Sequence, residues 1–380
     1  MTSTDVPDIR IPADLLPADG RFGSGPSKVR PEAVAALAEV SATWMGTSHR
    51  QRPVKAVVAS VRRGLAELLR LPEGYEVLLG NGGATVFWDV ATFGLISARS
   101  QHLAFGEFSS KFAAAVACAP HLDPPDVIES AAGTHPEARP TEGVDLYALT
   151  HNETSTGVAM ALARPEGVAP EEALVAVDAT SAAGALLFDP SEVDVYYLAP
   201  QKALASDGGL WLAACSPAAI ERIERIRSSS RWCPPSLDLG IALDNSRADQ
   251  TYNTPALATL FLLDQQLRWL NDNGGLEWAA ARCAKSASVL YGWAEGSDHA
   301  APFVADPAKR SSVVGTIDLA ASVDAGTVSA VLRANGIVDT DAYRKLGRNQ
   351  VRIGTFPAVD PDDVAALCES VDFVVAALAV

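Results

Sequence analysis

The sequence predicts an α/β protein built on a large, mainly parallel sheet with a smaller α/β unit at its C-terminal end. Two observations carry that prediction. Short apolar runs, LYALT (146–150), LVAVDAT (174–180) and DVYYLA (194–199), are hydrophobic throughout, as in strands covered on both faces. Between and around them lie stretches with helical spacing, and strand and helix alternate again after residue 310.

Along the chain, residues 1–20 combine prolines with acidic residues and read as an extended arm. PEAVAALAEVSATW (31–44) opens with proline, suited to the first turn of a helix. In PVKAVVASVRRGLAELLRL (53–71), Val54, Val57, Val58, Val61, Leu65, Leu68 and Leu69 form one apolar helical face. YEVLL (75–79) reads as a strand, ATVFWDVATFGLI (84–96) and SSKFAAAVA (109–117) as helices, and LWLAAC (210–215) as a further buried run. Residues 228–255 show no sustained periodicity, and so long a structureless connection is either functional or a sign of misassignment. Long helices follow at 256–270 and 276–294. VVGTIDL, AGTVSAVLRANG, VRIGTF and PDDVAALCESVDFVVAAL then form the second unit. The divisions expected are an arm, 1–20, a large domain, 21–265, and a small domain, 266–380.

Composition narrows the function. The net charge of −16 and the lack of a Lys/Arg run argue against a nucleic-acid binder. The five cysteines have no paired spacing, which suits reduced thiols in a cytoplasmic protein. The six histidines are not set at ligand spacing, so no metal is expected. The start has no basic and apolar leader pattern, and no apolar stretch reaches membrane length.

Three features could carry chemistry together. GNGGAT (80–85) follows a strand and opens a helix, where free N–H groups and glycines suit a phosphate. Neither G-x-G-x-x-G nor G-K-[ST] is present, which disfavours NAD and ATP. Asp178 ends one strand and Lys202 follows another, at the strand ends where open α/β sheets place ligands. A lysine nucleophile, an aspartate for a pyridine nitrogen and a phosphate turn are what pyridoxal 5'-phosphate (PLP) requires. Taken singly, each piece also fits a turn, a helix cap or a core edge.

The chain resembles the phosphoserine aminotransferases, class V PLP-dependent transaminases of fold type I, and most of all their actinobacterial branch. The likeness runs from about Phe22 to the C-terminus. It rests on FGSGPSKVRPEAV (22–34), GTSHRQRPVK (46–55), LGNGGATVFWD (79–89), THNETSTGV (150–158), VDATSAAG (177–184), APQKALASDGGLWLA (199–213), DQTYNTPA (249–256) and YRKLGRNQVRIGTFPAV (343–359). The resemblance implies that Lys202 bonds the cofactor and Asp178 pairs with its ring nitrogen. It implies further that Gln201, Ala84 and Thr85 lie at its phosphate, Thr154 at its phenolic oxygen and Phe108 on the ring face. Asn253 and Thr254 would reach the cofactor phosphate of the other subunit, making a homodimer. His49 and Arg50, also across the dimer, and Arg344 and Arg352 would bind substrate, with Arg352 clamping the α-carboxylate. His151 reads as structural.

The implied activity is reversible amino transfer between L-glutamate and 3-phosphohydroxypyruvate, giving O-phospho-L-serine and 2-oxoglutarate in serine biosynthesis. A vitamin B6 pathway substrate giving 4-phosphohydroxy-threonine is a further possibility. Alternatives are another class V enzyme, such as a serine–glyoxylate aminotransferase, or a non-catalytic ligand binder of the same fold. A desulfurase would need a cysteine on a mobile loop, and none of the five sits in such a stretch.

Overall fold

In a computed structural model, which describes residues 6–379, the chain forms ten helices and twelve strands among the described residues. They follow the order α1 (Pro31–Trp44), α2 (Arg52–Leu68), β1 (Glu76–Gly82), α3 (Ala84–Gly94), β2 (Ser100–Ala104), α4 (Glu107–Ala117), β3 (Asp126–Glu129) and β4 (Leu146–Thr150). Next come β5 (Asn152–Glu153), β6 (Val158–Ala159), β7 (Leu174–Asp178), β8 (Val195–Leu198), β9 (Gly209–Cys215), α5 (Pro217–Arg227), α6 (Leu239–Arg247) and α7 (Leu257–Asp272). The chain ends with α8 (Gly275–Gly296), β10 (Ala300–Pro302), β11 (Val314–Leu319), α9 (Ala325–Ala334), β12 (Gln350–Gly354) and α10 (Pro361–Leu378).

The large sheet has seven strands in the order β1-β9-β8-β7-β4-β2-β3. It is parallel from β8 to β3, and β9 alone runs against its neighbours. Because β9 opposes both β8 and β1, those two run in the same direction. Residues after β1 therefore emerge at the same edge as residues after β8, β7 and β4. That edge carries the site.

Burial on both faces explains the continuous apolar runs. In β7, Val175 and Val177 enter one core cluster, with α2 and α7, whereas Leu174 and Ala176 enter the other, with α3 and α6. Helix α2 packs on α7 through Val54, Val58, Val61 and Leu65, a three- and four-residue spacing that buries one face. Leu65 is fully buried, and truncation to alanine costs about 2–5 kcal/mol.

A three-stranded sheet, β10-β11-β12, forms a separate core with α8, α9 and α10. The N-terminal arm, where described, forms turns and extended chain, and it is pinned to this unit. Asn335 donates to the Ile9 carbonyl and accepts from the Ile11 amide, and Ser370 donates to the Leu15 carbonyl. Residues 20–22 then add to the small sheet: Val338 N donates to Gly20 O, and Gly354 N to Phe22 O.

Two segments differ from expectation. The connection 228–255, read as structureless, contains α6, capped by the Asp238 carboxylate on the Ile241 amide. Its buried Leu239, Ala242, Leu243 and Ser246 face the core, and Ser246 Oγ accepts from Leu79 N at 3.0 Å. A helix of nine residues spans too few turns for its period to stand out. Strand β1 also continues to Gly82, three residues past the expected end, so that only Gly83 caps α3. Gly80 serves packing there, because a Cβ would stand 2.1 Å from the Trp211 ring.

Candidate active site

At the edge where the parallel strands end, a cavity of about 420 Å³ is lined by Gly25, Pro26, Gly83, Ala84, Thr85, Trp88, Phe108, Thr150, Asn152, Thr154, Asp178, Thr180, Ser181, Gln201, Lys202, Asp207 and Gly208. Strand ends supply Thr150 and Asp178, the turn after β8 supplies Gln201 and Lys202, and α3 supplies Ala84, Thr85 and Trp88.

Lys202 is 7% exposed, and its Nζ donates to Thr154 Oγ1 at 2.8 Å. Burial, helped by the nearby Arg352 charge, lowers its pKa to about 8, while Asp178 and Glu153 oppose the fall. The amine lies 5.1 Å from the centre of the Phe108 ring. Gly25 passes so close that a Cβ would stand 2.7 Å from Lys202 Cε. Ser27 holds the lysine's own backbone: its amide donates to Gln201 O at 2.9 Å and its hydroxyl to Lys202 O at 2.5 Å.

Asp178 lies on the cavity floor. Its Oδ1 accepts from Thr180 N at 2.9 Å, and its Oδ2 from Trp88 Nε1 at 3.4 Å. Burial raises its pKa; the Thr180 bonds, the Lys202 charge and Trp88 pull the other way. A carboxylate so placed gains from a cation set against it. Thr154 also donates to Ser181 Oγ, which accepts from Asn152 Nδ2 as well.

The unpaired polar groups fit a phosphorylated pyridine ring. The buried Thr180 Oγ1, a hydroxyl that can donate or accept, and the acceptors Asn152 Oδ1 and Gln201 Oε1 have no hydrogen-bond partner within the chain. Helix α3 has no side-chain cap, so the amides of its first turn are free for an anion, and a Cβ on Gly83 would meet nothing within 4 Å.

The other expected residues fall into two groups. Arg352 and Arg344 line a neighbouring cavity of about 560 Å³ with Gly23–Pro26 and Tyr343. The Arg352 guanidinium lies 5.3 Å from the Tyr343 ring and donates to Thr154 O at 3.3 Å, and its Nε is buried without a partner. His49, Arg50, Asn253 and Thr254 form a separate surface group. His49 Nδ1 and Thr254 Oγ1 are 3.1 Å apart, and Arg50 donates to Gln250 Oε1 at 3.1 Å. Among the described residues, none of these four lines the Lys202 cavity.

His151 is buried, bonds Tyr196 OH through Nδ1 at 2.9 Å, and has its pKa pushed down to about 3 by burial. It stays a neutral structural group. Sequence reasoning missed Trp88, Asn152, Thr150, Thr180 and Ser181. Trp88 sits one turn after Ala84, a spacing that offered a signal, but its apolar surroundings resemble core.

Comparison with known proteins gives the family and the fold. A family model described as aminotransferase class-V matches residues 131–340. The phosphoserine aminotransferase of Rhodococcus jostii (strain RHA1) is 60% identical over 378 residues, covering 100% of both chains. A putative phosphoserine aminotransferase of Mycobacterium leprae (strain TN) is 60% identical over 369 residues, 97% of this chain and 98% of that one. Among solved structures, the phosphoserine aminotransferase from Cytophaga hutchinsonii aligns with a TM-score of 0.85 at 23% identity, over 93% of this chain and 99% of that one. A PLP-bound phosphoserine aminotransferase from Trichomonas vaginalis aligns at 0.76 and 19%, over 93% and 99%. These two distant structures share the fold.

Proposed function

Since the chain belongs to the phosphoserine aminotransferase family of class-V aminotransferases, we propose that it moves an amino group from L-glutamate to 3-phosphohydroxypyruvate, with PLP as cofactor, and releases O-phospho-L-serine and 2-oxoglutarate. The observation that carries this reading is a buried lysine of lowered pKa, held by Thr154 and sharing one cavity with Asp178 and the free start of α3.

When bound, PLP supplies an electron sink for the bond broken at the substrate Cα. The chain does the rest. Lys202 Nζ would hold the cofactor, take the proton from the substrate Cα as base and give it up as acid to the carbon on the other side of the amino nitrogen. A pKa near neutrality suits both tasks. Asp178, its carboxylate fixed by the Trp88 indole and the Thr180 amide, would keep a proton on the ring nitrogen. Ala84 and Thr85 would offer amides to the phosphate, with Gln201 beside them. Thr154 would serve the phenolic oxygen and Phe108 the ring face, both lining the same cavity. Arg352 binds the α-carboxylate through a planar fork, and Arg344 lies beside it in the same cavity.

In this reading the protein is a homodimer, and His49, Arg50, Asn253 and Thr254, none of which lines its own Lys202 cavity, would serve the partner's site. In the same reading the chain divides into an arm, 1–20, a large domain, 21–265, and a small domain, 266–380. Helix α7 crosses the second division and packs on α1 and α2. A cytoplasmic location suits such an enzyme, and no helix of the described chain is long and apolar enough to cross a membrane.

An assay of 2-oxoglutarate release from glutamate and 3-phosphohydroxypyruvate, with and without added PLP, tests the proposal. Turnover that needs PLP and strongly prefers the phosphorylated acceptor is expected. Equal rates on unphosphorylated hydroxypyruvate would favour a serine–glyoxylate type of enzyme. Absence of turnover with PLP bound would favour a ligand-binding protein.

A further inference from the structure

Glu153 has a fully buried carboxylate next to the cofactor-facing residues, yet it does not line the Lys202 cavity. Its Oε2 accepts from Phe108 N at 3.1 Å, Ser109 N at 2.9 Å and Ser109 Oγ at 3.0 Å. Its Oε1 accepts from Ser155 N at 3.1 Å and Ser155 Oγ at 2.7 Å. One carboxylate thus closes the N-terminus of α4 and ties it to the loop after β5. Both ends of that tie face the same atom. The Phe108 ring centre lies 5.1 Å from Lys202 Nζ, and Thr154, adjacent to Glu153, accepts from that Nζ at 2.8 Å.

We propose that Glu153 is a positioning residue for the reaction: its carboxylate sets the Phe108 ring and the Thr154 hydroxyl at their places around the Lys202 amine. The inference rests on the reading of this cavity as a PLP site. Gly106 makes the arrangement tight. A Cβ there would stand 2.3 Å from Glu153 Cγ and 2.7 Å from Ser155 Oγ. Its backbone is extended, φ 179°, so an alanine would act by displacing the carboxylate rather than by straining the chain. Glutamine at 153 keeps the size but loses charge, and its NH₂ cannot accept from the amides it would face. The charge itself also reaches the lysine, whose proton affinity Glu153 raises.

The test compares wild type, Glu153→Gln, Gly106→Ala, Ser155→Ala and, as control, Glu107→Gln, each loaded with PLP. Three readouts apply: cofactor dissociation constant, visible circular dichroism per bound cofactor, and the pH midpoint of its visible absorption. For Glu153→Gln, about tenfold weaker binding, a changed dichroism and a midpoint lower by about one unit are expected. Gly106→Ala should give the same dichroism change with a smaller midpoint shift, since the charge remains. Ser155→Ala should shift binding in the same direction by a few fold. The Glu107 carboxylate pairs with Lys111 and Lys345 and takes no part in the Glu153 tie, so Glu107→Gln should leave all three readouts unchanged. A lower melting temperature with all three readouts at wild-type values in Glu153→Gln and Gly106→Ala would overturn the proposal. If Glu153→Gln does not fold, Gly106→Ala and Ser155→Ala decide it by the same criteria. A wild-type protein that takes up no PLP would instead overturn the functional reading.

Discussion

The Lys202 cavity and the His49–Thr254 surface group are made differently. In the cavity, functional side chains are buried and bonded to one another: Trp88 to Asp178, Lys202 to Thr154, Thr154 to Ser181. In the surface group, Arg50, Asn253 and Thr254 are exposed, beside an exposed Tyr252 and Met45. The first region is organised by its own fold. The second lies open to solvent. A desolvated, fixed dipole acts strongly without reorganising, whereas an exposed cation is screened until a partner covers it.

The largest expected effect is at the centre of the finished region. Lys202→Ala should lower turnover by about a thousandfold or more, with the folded protein still able to hold PLP non-covalently. Undiminished turnover would remove the lysine from the mechanism. Asp178→Asn should follow, losing about a hundredfold or more while circular dichroism of the fold is unchanged; a loss of only a few fold would mean that the ring nitrogen is held otherwise.

The comparison itself is broken or sharpened by mixing. Arg50→Ala should raise KM for the phosphorylated acceptor about tenfold or more, with kcat nearly kept. Lys202→Ala and Arg50→Ala chains, refolded together, should show turnover with the low wild-type KM, because a mixed dimer then holds one intact site. No such turnover would place Arg50 in the site of its own chain.

Smaller effects probe the cavity wall. Uptake of PLP by the cofactor-free protein should speed up with a midpoint near pH 8, since only the neutral amine attacks and Lys202 titrates at about 8. A midpoint near that of an ordinary surface lysine, in stopped-flow absorbance, would contradict its burial. Trp88→Phe removes one hydrogen bond to Asp178 and should slow turnover about fivefold.

Much of this was legible in the sequence. The buried strands β4, β7 and β8 announced themselves by unbroken apolar runs, and Asp178 and Lys202 by standing where those runs stop. Strand β2 was not legible, because SQHLA looks polar. Its Ser100, Gln101 and His102 are buried all the same, the first and third bonded to each other at 2.8 Å and Gln101 to Asp126 and Thr141. Helix α5 was hidden by its charges, though Ser216 caps it and Ala219 and Ile223 recur at helical spacing. Glu153 gave no warning either. A carboxylate bonded to amides two residues away and more than forty away leaves no local pattern.

The docking of residues 20–27 has a consequence for the order in which the molecule is made. This segment leaves the ribosome well before its sheet partners, Val338 and Gly354, which come more than three hundred residues later, and its grip on Lys202 lies between. The segment cannot seat until those partners exist. Contacts so distant in sequence cost the most loop entropy and form late. The piece of backbone that crowds the lysine is thus synthesised long before the contacts that seat it. The nucleophile meets its final surroundings only when the small sheet is complete.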